Sequence, residues 1–184
     1  MSRLQLLDQS TPFVPIEGRG QANLLAGAVK LDLSEVDLQF PDSRRNGDLH
    51  LQFTDYAQLP HPIGGNQLPH WVYTAQPAGI QVEGELQVDL AMPKLNRSHD
   101  YLPADGSYVL MLGLDLASRH IVPVGVGQIN NYRVTSVGQT HYQTLDILGY
   151  VLQGTAAQPH LQAYVAGEID LRQLQIALDN LTEQ

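Results

Sequence analysis

Because the sequence contains no cysteine, its histidines are the side chains expected to bind a transition-metal ion. The histidines are His50, His61, His70, His99, His120, His141 and His160. No pair of them has the HxH or HxxxH spacing that places two imidazoles on one face of a strand or helix. We therefore predict no metal, no other cofactor and no catalytic residue.

The densest group of polar and aromatic side chains lies in two long segments without periodicity, residues 54–69 and 93–106. His61, His70 and Trp71 belong to the first or follow it, and His99 and Asp100 belong to the second. These side chains could meet if both segments lie at one end of the fold, because long loops are often functional. Aromatic side chains that could stack on a sugar ring accompany them, namely Tyr56, Trp71, Tyr73 and Tyr101.

Motifs for nucleophilic catalysis and nucleotide binding are incomplete. Asp115, Ser118 and His120 are the residue types of a catalytic triad, but close neighbours on one segment do not normally adopt triad geometry. Gly125 and Gly127 lack the third glycine and the following helix of a dinucleotide site. An enzyme with a loop-built His/Asp site therefore remains only a minor alternative.

A calcium site is the other open possibility for chemistry. Asp42, Asn46 and Asp48 surround a turn and offer oxygen ligands, yet they lack the ligand order and the terminal glutamate of an EF-hand. The alternative function is thus a carbohydrate- or calcium-binding β-sandwich module.

Composition excludes several classes of partner. The formal net charge is -9, and Lys30 and Lys94 are the only lysines, so no basic stripe is available to neutralise nucleic-acid phosphates. No apolar run approaches the roughly 18 residues of a membrane span. We expect no export signal at the N-terminus, and localisation stays open between a surface or extracellular module and a cytoplasmic or particle subunit.

Alternating apolar and polar residues predict short β-strands from residue 29 onward. The predicted strands cover residues 29–33, 36–40, 49–53, 71–75, 80–90, 108–116, 121–129, 132–137 and 145–152. Runs 36–40 and 49–53 predict a hairpin closed by the polar residues 41–47, which include Asn46-Gly47. The run 108–116 is almost wholly apolar, which is typical of a strand covered on both faces. Gly125 and Gly127 predict a bulge or a close approach of another backbone.

The C-terminal residues change to a helical period. Pro159 suits the first turn of a helix, Gly167 can end that helix, and Asp170 with Gln173 forms a capping box for a second one. The predicted fold is mainly β, an antiparallel β-sandwich of Ig-like or jelly-roll-like type with a short C-terminal helical hairpin. The predicted divisions are an extended arm at 1–23, the sandwich at 24–155 and the helical appendage at 156–184.

Two neighbouring segments carry a family resemblance. Leu102-Pro-Ala-Asp-Gly-Ser-Tyr followed by an apolar strand, and His120-Ile-Val-Pro-Val-Gly-Val-Gly-Gln-Ile followed by a turn, resemble the β-sandwich accessory modules of large bacterial surface and secreted proteins. The resemblance covers about residues 80–152. It implies a structural or adhesive role and assigns no catalytic residue.

The predicted function is a non-enzymatic subunit that assembles through contacts with other protein subunits. Phe13, Val14 and Ile16 stand between prolines in the N-terminal arm, where an extended backbone could add to the sheet edge of a neighbour. The predicted binding residues are these three together with Tyr56, His61, His70, Trp71, His99, Asp100 and Tyr101.

Overall fold

The structure is a computed structural model that describes residues 13–17, 19–54, 71–92 and 104–182. Its strands are β1 (Val14–Glu17), β2 (Gln21–Leu24), β3 (Val29–Asp32), β4 (Val36–Gln39), β5 (Asn46–Phe53), β6 (Trp71–Gln76), β7 (Gln81–Gly84), β8 (Gln87–Ala91), β9 (Tyr108–Leu114), β10 (Ile121–Asn130), β11 (Arg133–Val137) and β12 (Ile147–Leu152). The helices are α1 (Gln158–Val165) and α2 (Leu171–Thr182). The fold is therefore mainly β with a C-terminal helical pair, as the sequence predicts.

Ten of these strands form one antiparallel sheet in the order β1-β5-β6-β12-β9-β10-β11-β8-β3-β2. Its two edge strands, β1 and β2, follow one another in sequence and are joined by residues 18–20. A groove of about 120 Å³ separates them, lined by residues of both strands and by Leu33. The sheet is thus nearly closed and barrel-like rather than clearly a sandwich. Alternation along each strand is the same in both architectures, so the sequence pattern does not distinguish them.

The inward side chains of the sheet form an interior core. Members from around the sheet are Ile16, Leu24, Leu31, Leu51, Val88, Leu90, Met111, Ile129, Val134 and Leu148. β4 and β7 pair with each other as a separate two-stranded sheet, and Val36, Leu38 and Val82 from it belong to the same core. Burial of these side chains is the main stabilising contribution that the interior can make.

A second core lies on the outer face of the sheet, beneath the helices. β9 is buried on both faces, with Val109 and Met111 in the interior core and Leu110, Leu112 and Leu114 in the outer core. The helical pair covers this outer face with Leu161, Tyr164, Leu174 and Leu178. The prediction that residues 108–116 contain a strand covered on both faces is confirmed.

The predicted irregularity in β10 is a bulge between Pro123 and Gly125. The bulge shifts the alternation of β10. Ile121 and Val126 are five residues apart and would lie on opposite faces of a regular strand, but both face the outer core. A Cβ atom at Gly125 would lie 3.0 Å from the carbonyl oxygen of Gln139. The close approach of another backbone is therefore also present.

The helical pair begins and ends as predicted. Pro159 lies in the first turn of α1, and Gly167 follows that helix with φ +74°. Gln173 N donates to Asp170 Oδ1 and Asp170 N donates to Gln173 Oε1, each at 2.8 Å, which is the predicted capping box.

The predicted hairpin of residues 36–53 is wrong. β4 pairs with β7, whereas β5 pairs with β1 and β6. Asn46 and Gly47 are the first residues of β5 instead of a turn. A Cβ atom at Gly47 would lie 2.7 Å from the ring of Phe40, so packing explains this glycine better than turn geometry does.

Residues 14–17, part of the predicted arm, form β1 and pair with β5 of the same chain. Residues 21–23 lie in β2 and pair with β3. Ile16 is 3% exposed and belongs to the chain's own interior core. Residues 1–12 lie outside the described residues.

Substitution Leu112→Ala should lower the free energy of unfolding by about 2–5 kcal/mol, because it leaves a cavity between β9 and the helices. Chemical denaturation measures the change. Leu116→Ala, at a position 36% exposed just beyond β9, is the matched control and should cost far less. Equal losses in the two variants would contradict the placement of the outer core.

Substitution Tyr142→Phe should leave the protein equally or more stable at neutral pH. Among the residues that the structure describes, none forms a hydrogen bond with the buried Tyr142 hydroxyl, and burial raises the pKa of Tyr142 above its ordinary value of 10.0. Above pH 10 the unfolded chain loses this proton while the folded chain keeps it, so stability falls as pH rises. Removing the group should reduce that fall by up to about 1.4 kcal/mol per pH unit.

Denaturant unfolding of both proteins at neutral pH and between about pH 10 and 11 tests this expectation. A variant that is less stable at neutral pH, with an unchanged alkaline slope, would show that the hydroxyl has a favourable partner.

Candidate functional site

Both long predicted loops are attached to the same end of the sheet. In an antiparallel sheet alternate strands run in opposite directions, so the connections that follow β2, β5, β8, β10 and β12 all leave from one end. We call this the loop end. The connections after β1, β3, β4, β6, β7, β9 and β11 lie at the opposite end, which carries the two-stranded β4–β7 sheet and which we call the capped end. The condition for the loop segments to meet is therefore satisfied at their bases.

Hydrogen bonds fix the described bases of both segments. Thr54 N donates to the carbonyl oxygen of Val72 at 3.0 Å, which closes the base of the segment between β5 and β6. Met92 N donates to the carbonyl oxygen of Tyr132 at 2.7 Å. Asn131 N donates to Asp105 Oδ1 at 3.1 Å. The β10–β11 turn thus holds the chain on both sides of residues 93–103.

That turn places a tyrosine in a conformation that suits glycine. Asn131 and Tyr132 have φ +49° and +59°, as in the tight hairpin turns that usually carry Asn-Gly. Asparagine tolerates the left-handed region, but tyrosine pays a steric cost there of about 1–2 kcal/mol. Tyr132 is nevertheless 54% exposed, so little burial of its ring offsets that cost.

A second turn with the same property lies beside the first. Leu25 and Ala26, between β2 and β3, have φ +52° and +53°. Arg133 connects the two turns, because its Nη2 donates to the carbonyl oxygen of Gly27 at 3.0 Å and its Nε bonds Asp89 Oδ1 at 2.5 Å. Such left-handed residues cluster where surrounding structure enforces them, often at functional surfaces.

Most of the predicted binding residues lie in parts of the chain that the structure does not describe. Tyr56, His61, His70, His99, Asp100 and Tyr101 lie outside the described residues. Trp71 begins β6 and its backbone pairs with Tyr150, and the description of this residue ends there. Tyr73, considered above as a stacking platform, is 3% exposed in the interior core and cannot serve as one.

The N-terminal candidates Phe13, Val14 and Ile16 differ in burial because side chains alternate between the two faces of β1. Ile16 is buried and Val14 packs against the interior core. Phe13 is 56% exposed, with its ring centroid 5.1 Å from that of His50. Because Phe13 immediately precedes the Val14–Leu49 pair, it lies beside His50, three residues before β5 ends at the loop end. Of the three, only Phe13 offers a large apolar surface to a neighbour.

The triad residue types form a turn at the capped end. The Ser118 hydroxyl donates to Asp115 Oδ2 at 2.5 Å and accepts from the backbone amide of His120 at 3.3 Å. The hydrogen bonds that the hydroxyl and the backbone amide of Ser118 donate to Asp115 hold the pKa of Asp115 below its ordinary value. The arrangement is a local turn motif that stabilises the β9–β10 connection. Within the described ranges, no three histidine, aspartate or glutamate side chains are grouped to hold a metal ion.

Each predicted calcium ligand either forms an ion pair or lies in a strand of the sheet. Arg44 bonds Asp42 Oδ2 through its Nε and Nη2, each at 2.6 Å, and this hydrogen bonding lowers the pKa of Asp42. Asn46 and Asp48 lie in β5, paired with β1.

A polar cleft of about 650 Å³ lies between the α1–α2 turn and residues 138–141. The Tyr164 hydroxyl in its wall donates to the carbonyl oxygen of Gln139 at 2.9 Å, and Asp170 caps α2. The Tyr164 bond stabilises the docking of the helical pair against residues 138–141, and the Asp170 cap stabilises the start of α2. The loop end therefore remains the stronger candidate for contact with another molecule.

Comparison with protein-family models, with curated proteins and with solved structures finds no match to this chain. Neither of the two described helices is long and apolar enough to cross a membrane. The fold and the site thus define a mainly β, barrel-like protein with an exposed tyrosine, Tyr132, in a left-handed turn at the loop end.

Sequence reasoning identified the two segments but not Tyr132. The Asn130-Asn131 pair predicts a turn, and the alternation that follows predicts that Tyr132 begins the next strand. Only the backbone angles show that Tyr132 occupies the second turn position.

Tyr132→Gly should be more stable than Tyr132→Ala. Both variants lack the phenol, but only glycine adopts the left-handed conformation without steric cost. After the greater entropy of glycine in the unfolded chain is subtracted, we expect a difference of up to about 1 kcal/mol in the free energy of unfolding. Denaturant titration measures it, and a glycine variant less stable than the alanine variant would refute strain at this turn.

Proposed function

We propose that this chain is a non-enzymatic structural or interaction subunit of a larger assembly of the bacterial surface, secreted or virion-like kind. It acts through protein contacts made at the loop end. The resemblance of residues 80–152 to accessory modules of surface and secreted proteins supports the kind of assembly.

The observation that carries the proposal is the exposure of Tyr132 in a left-handed turn. A tyrosine that pays backbone strain and contributes little to its own core is typical of a residue kept for contact. Tyrosine is also among the residues that contribute most to binding at protein interfaces, because its ring supplies large area with few rotatable bonds.

The surroundings of Tyr132 suit a protein contact. Asn130 and Asn131 are exposed beside it and can both donate and accept hydrogen bonds. The bonds from Met92 and to Asp105 hold the turn in place, so little order has to be gained on association. An aromatic anchor within a polar, preformed surface is the usual anatomy of a non-obligate interface.

The N-terminal arm has a smaller part in this proposal than the sequence predicts. Pairing of β1 with β5 occupies one backbone edge of residues 14–17, and Ile16 is buried within its own chain. Phe13 is the only one of the three arm residues retained as a contact candidate.

The carbohydrate- or calcium-binding alternative loses two of its supports. Tyr73 is buried, and the carboxylate of Asp42 is bound by Arg44. No described feature favours that alternative over protein contact.

Site-specific photocrosslinking in the cells that produce this chain tests the proposal. A benzoylphenylalanine at position 132 should form adducts that map to defined peptides of a protein partner. The same residue at position 176 is the matched control, because Ile176 is 53% exposed but lies on α2. Adducts of equal yield at both positions, or none at position 132, would overturn the proposal.

A further inference from the structure

We infer that β1 exchanges between two copies of this chain, so that β1 of each copy occupies the place of β1 in the other. The exchanged strand pairs with β5 of the second copy in the register that it has within a single chain. The partner is therefore a second copy of this chain. The contact is separate from the loop end and gives the buried side chains of β1 a role between subunits.

The place that β1 occupies is specific for its sequence. Ile16 is 3% exposed in the interior core, and Val14 packs against the same core. Ile16 lies opposite Gly47, where the ring of Phe40 leaves no room for a side chain. A strand that fits this place needs both apolar side chains in one register. β1 meets this condition, and it can come from the same chain or from a second copy with every contact retained.

The reversal of the chain between β1 and β2 gains little within one chain. The two strands run antiparallel and are joined by residues 18–20 alone, which is the length of a tight hairpin connection. They are nevertheless the two edges of the sheet, because the described residues of β1 pair with β5 and those of β2 pair with β3. Hydrogen bonds between the two strands therefore do not offset the entropy lost in reversing the chain. Short connections of this kind favour strand exchange.

The backbone of β2 faces the groove between the two edges. Leu33 N donates to the carbonyl oxygen of Gly20 at 2.7 Å, so alternate positions of β2 bond β3, and Gln21 and Asn23 direct their backbone groups into the groove. Pro15 lines the groove from β1 and has no N–H group to donate. Closure of the groove within one chain would thus lack a hydrogen bond from position 15.

The connection is long enough for the exchange. Glu17 and Gln21 are the last residue of β1 and the first of β2, and the four steps between them span at most about 14 Å when extended. Gly20 has φ +120°, and no atom of the described residues lies within 4 Å of a Cβ placed on it, so the connection can straighten without a clash. The two straightened connections run antiparallel past each other at the capped end, where their backbone groups can bond each other.

Mixed single-cysteine variants test the exchange, because the chain has no native cysteine. Pro15 and Asp48 are exposed and lie opposite each other, at a separation that suits a disulfide. Pro15→Cys and Asp48→Cys chains, one of them carrying an affinity tag, are unfolded, mixed, refolded and oxidised. We expect a disulfide-linked dimer that contains one chain of each kind. A dimer formed at the loop end does not bring position 15 of one copy beside position 48 of the other.

Gln128→Cys and Thr135→Cys are the matched control pair. These positions also lie opposite each other, but β10 and β11 are joined by a two-residue turn and pair with each other. Oxidation of the double variants, with both cysteines in one chain, establishes that each pair can form its disulfide. In the mixed experiment, positions 15 and 48 should give at least about tenfold more mixed dimer than the control pair, because β1 exchanges and the β10–β11 hairpin does not.

Alanine substitutions in two turns give an independent measurement. Gly20 and Gly27 have φ +120° and +85°, and no described atom lies within 4 Å of a Cβ placed on either. Alanine strains the folded chain at both positions, but straightening of the β1–β2 connection removes the strain only at position 20. Sedimentation equilibrium should therefore show a dimer about tenfold tighter for Gly20→Ala than for the wild-type chain, and no such change for Gly27→Ala.

Mixed dimer that is no more abundant from positions 15 and 48 than from the control pair would overturn the inference. Equal dissociation constants for the two alanine variants would do the same. Neither result bears on the proposed function, which crosslinking at position 132 tests separately.

Discussion

Backbone hydrogen bonding that continues from β1 through eight intervening strands to β2 is the constraint on which the rest of this structure depends. Because β1 and β2 are consecutive in the chain, the two edges of the sheet are brought side by side by the three residues that join them. Near-closure encloses one set of side chains and leaves two short edges, one of them containing Pro15. Short edge strands and proline are common protections against uncontrolled strand addition.

Near-closure also explains the two cores. The interior core uses one face of each strand, and the outer faces of β6, β9, β10 and β12 remain apolar because the helical pair covers them. The bulge changes which face each side chain of β10 points to, and the strand contributes side chains to both cores before and after the bulge. Elsewhere the outer face is polar, as on β3 and β8, where Lys30 and Asp89 occupy paired positions.

Local pattern predicts the strands well and their partners poorly. The apolar run of β9, the glycines of β10 and the capping box at Asp170 each have a short-range physical cause, so the sequence shows them. The pairing of β4 with β7 depends on residues more than forty positions apart, as Val36 and Gly84 show, and the Asn46-Gly47 signal favoured the wrong local hairpin. Gly47 is needed for the ring of Phe40, a contact that no turn propensity encodes.

The candidate site also has features that the sequence predicts and features that it does not. Composition predicts that residues 54–69 and 93–106 are connections that suit contact, and strand direction then places their bases at the same end of the sheet. Strain at Tyr132 was not predictable, because it arises from the tight two-residue connection between β10 and β11.

Strain and exposure at Tyr132 have a common consequence for how the loop end would evolve. Glycine at this position would relieve the backbone, and mutations that stabilise a protein in this way are easily reached. A tyrosine that lowers the stability of the isolated subunit persists most readily where the assembled state recovers the loss through burial of the ring. Under the proposed function, stability of the free chain and strength of assembly are therefore opposed at this residue. At Leu112 they are not, because its whole contribution is made inside one chain. That opposition distinguishes a contact residue from a structural one even when the partner has not been identified.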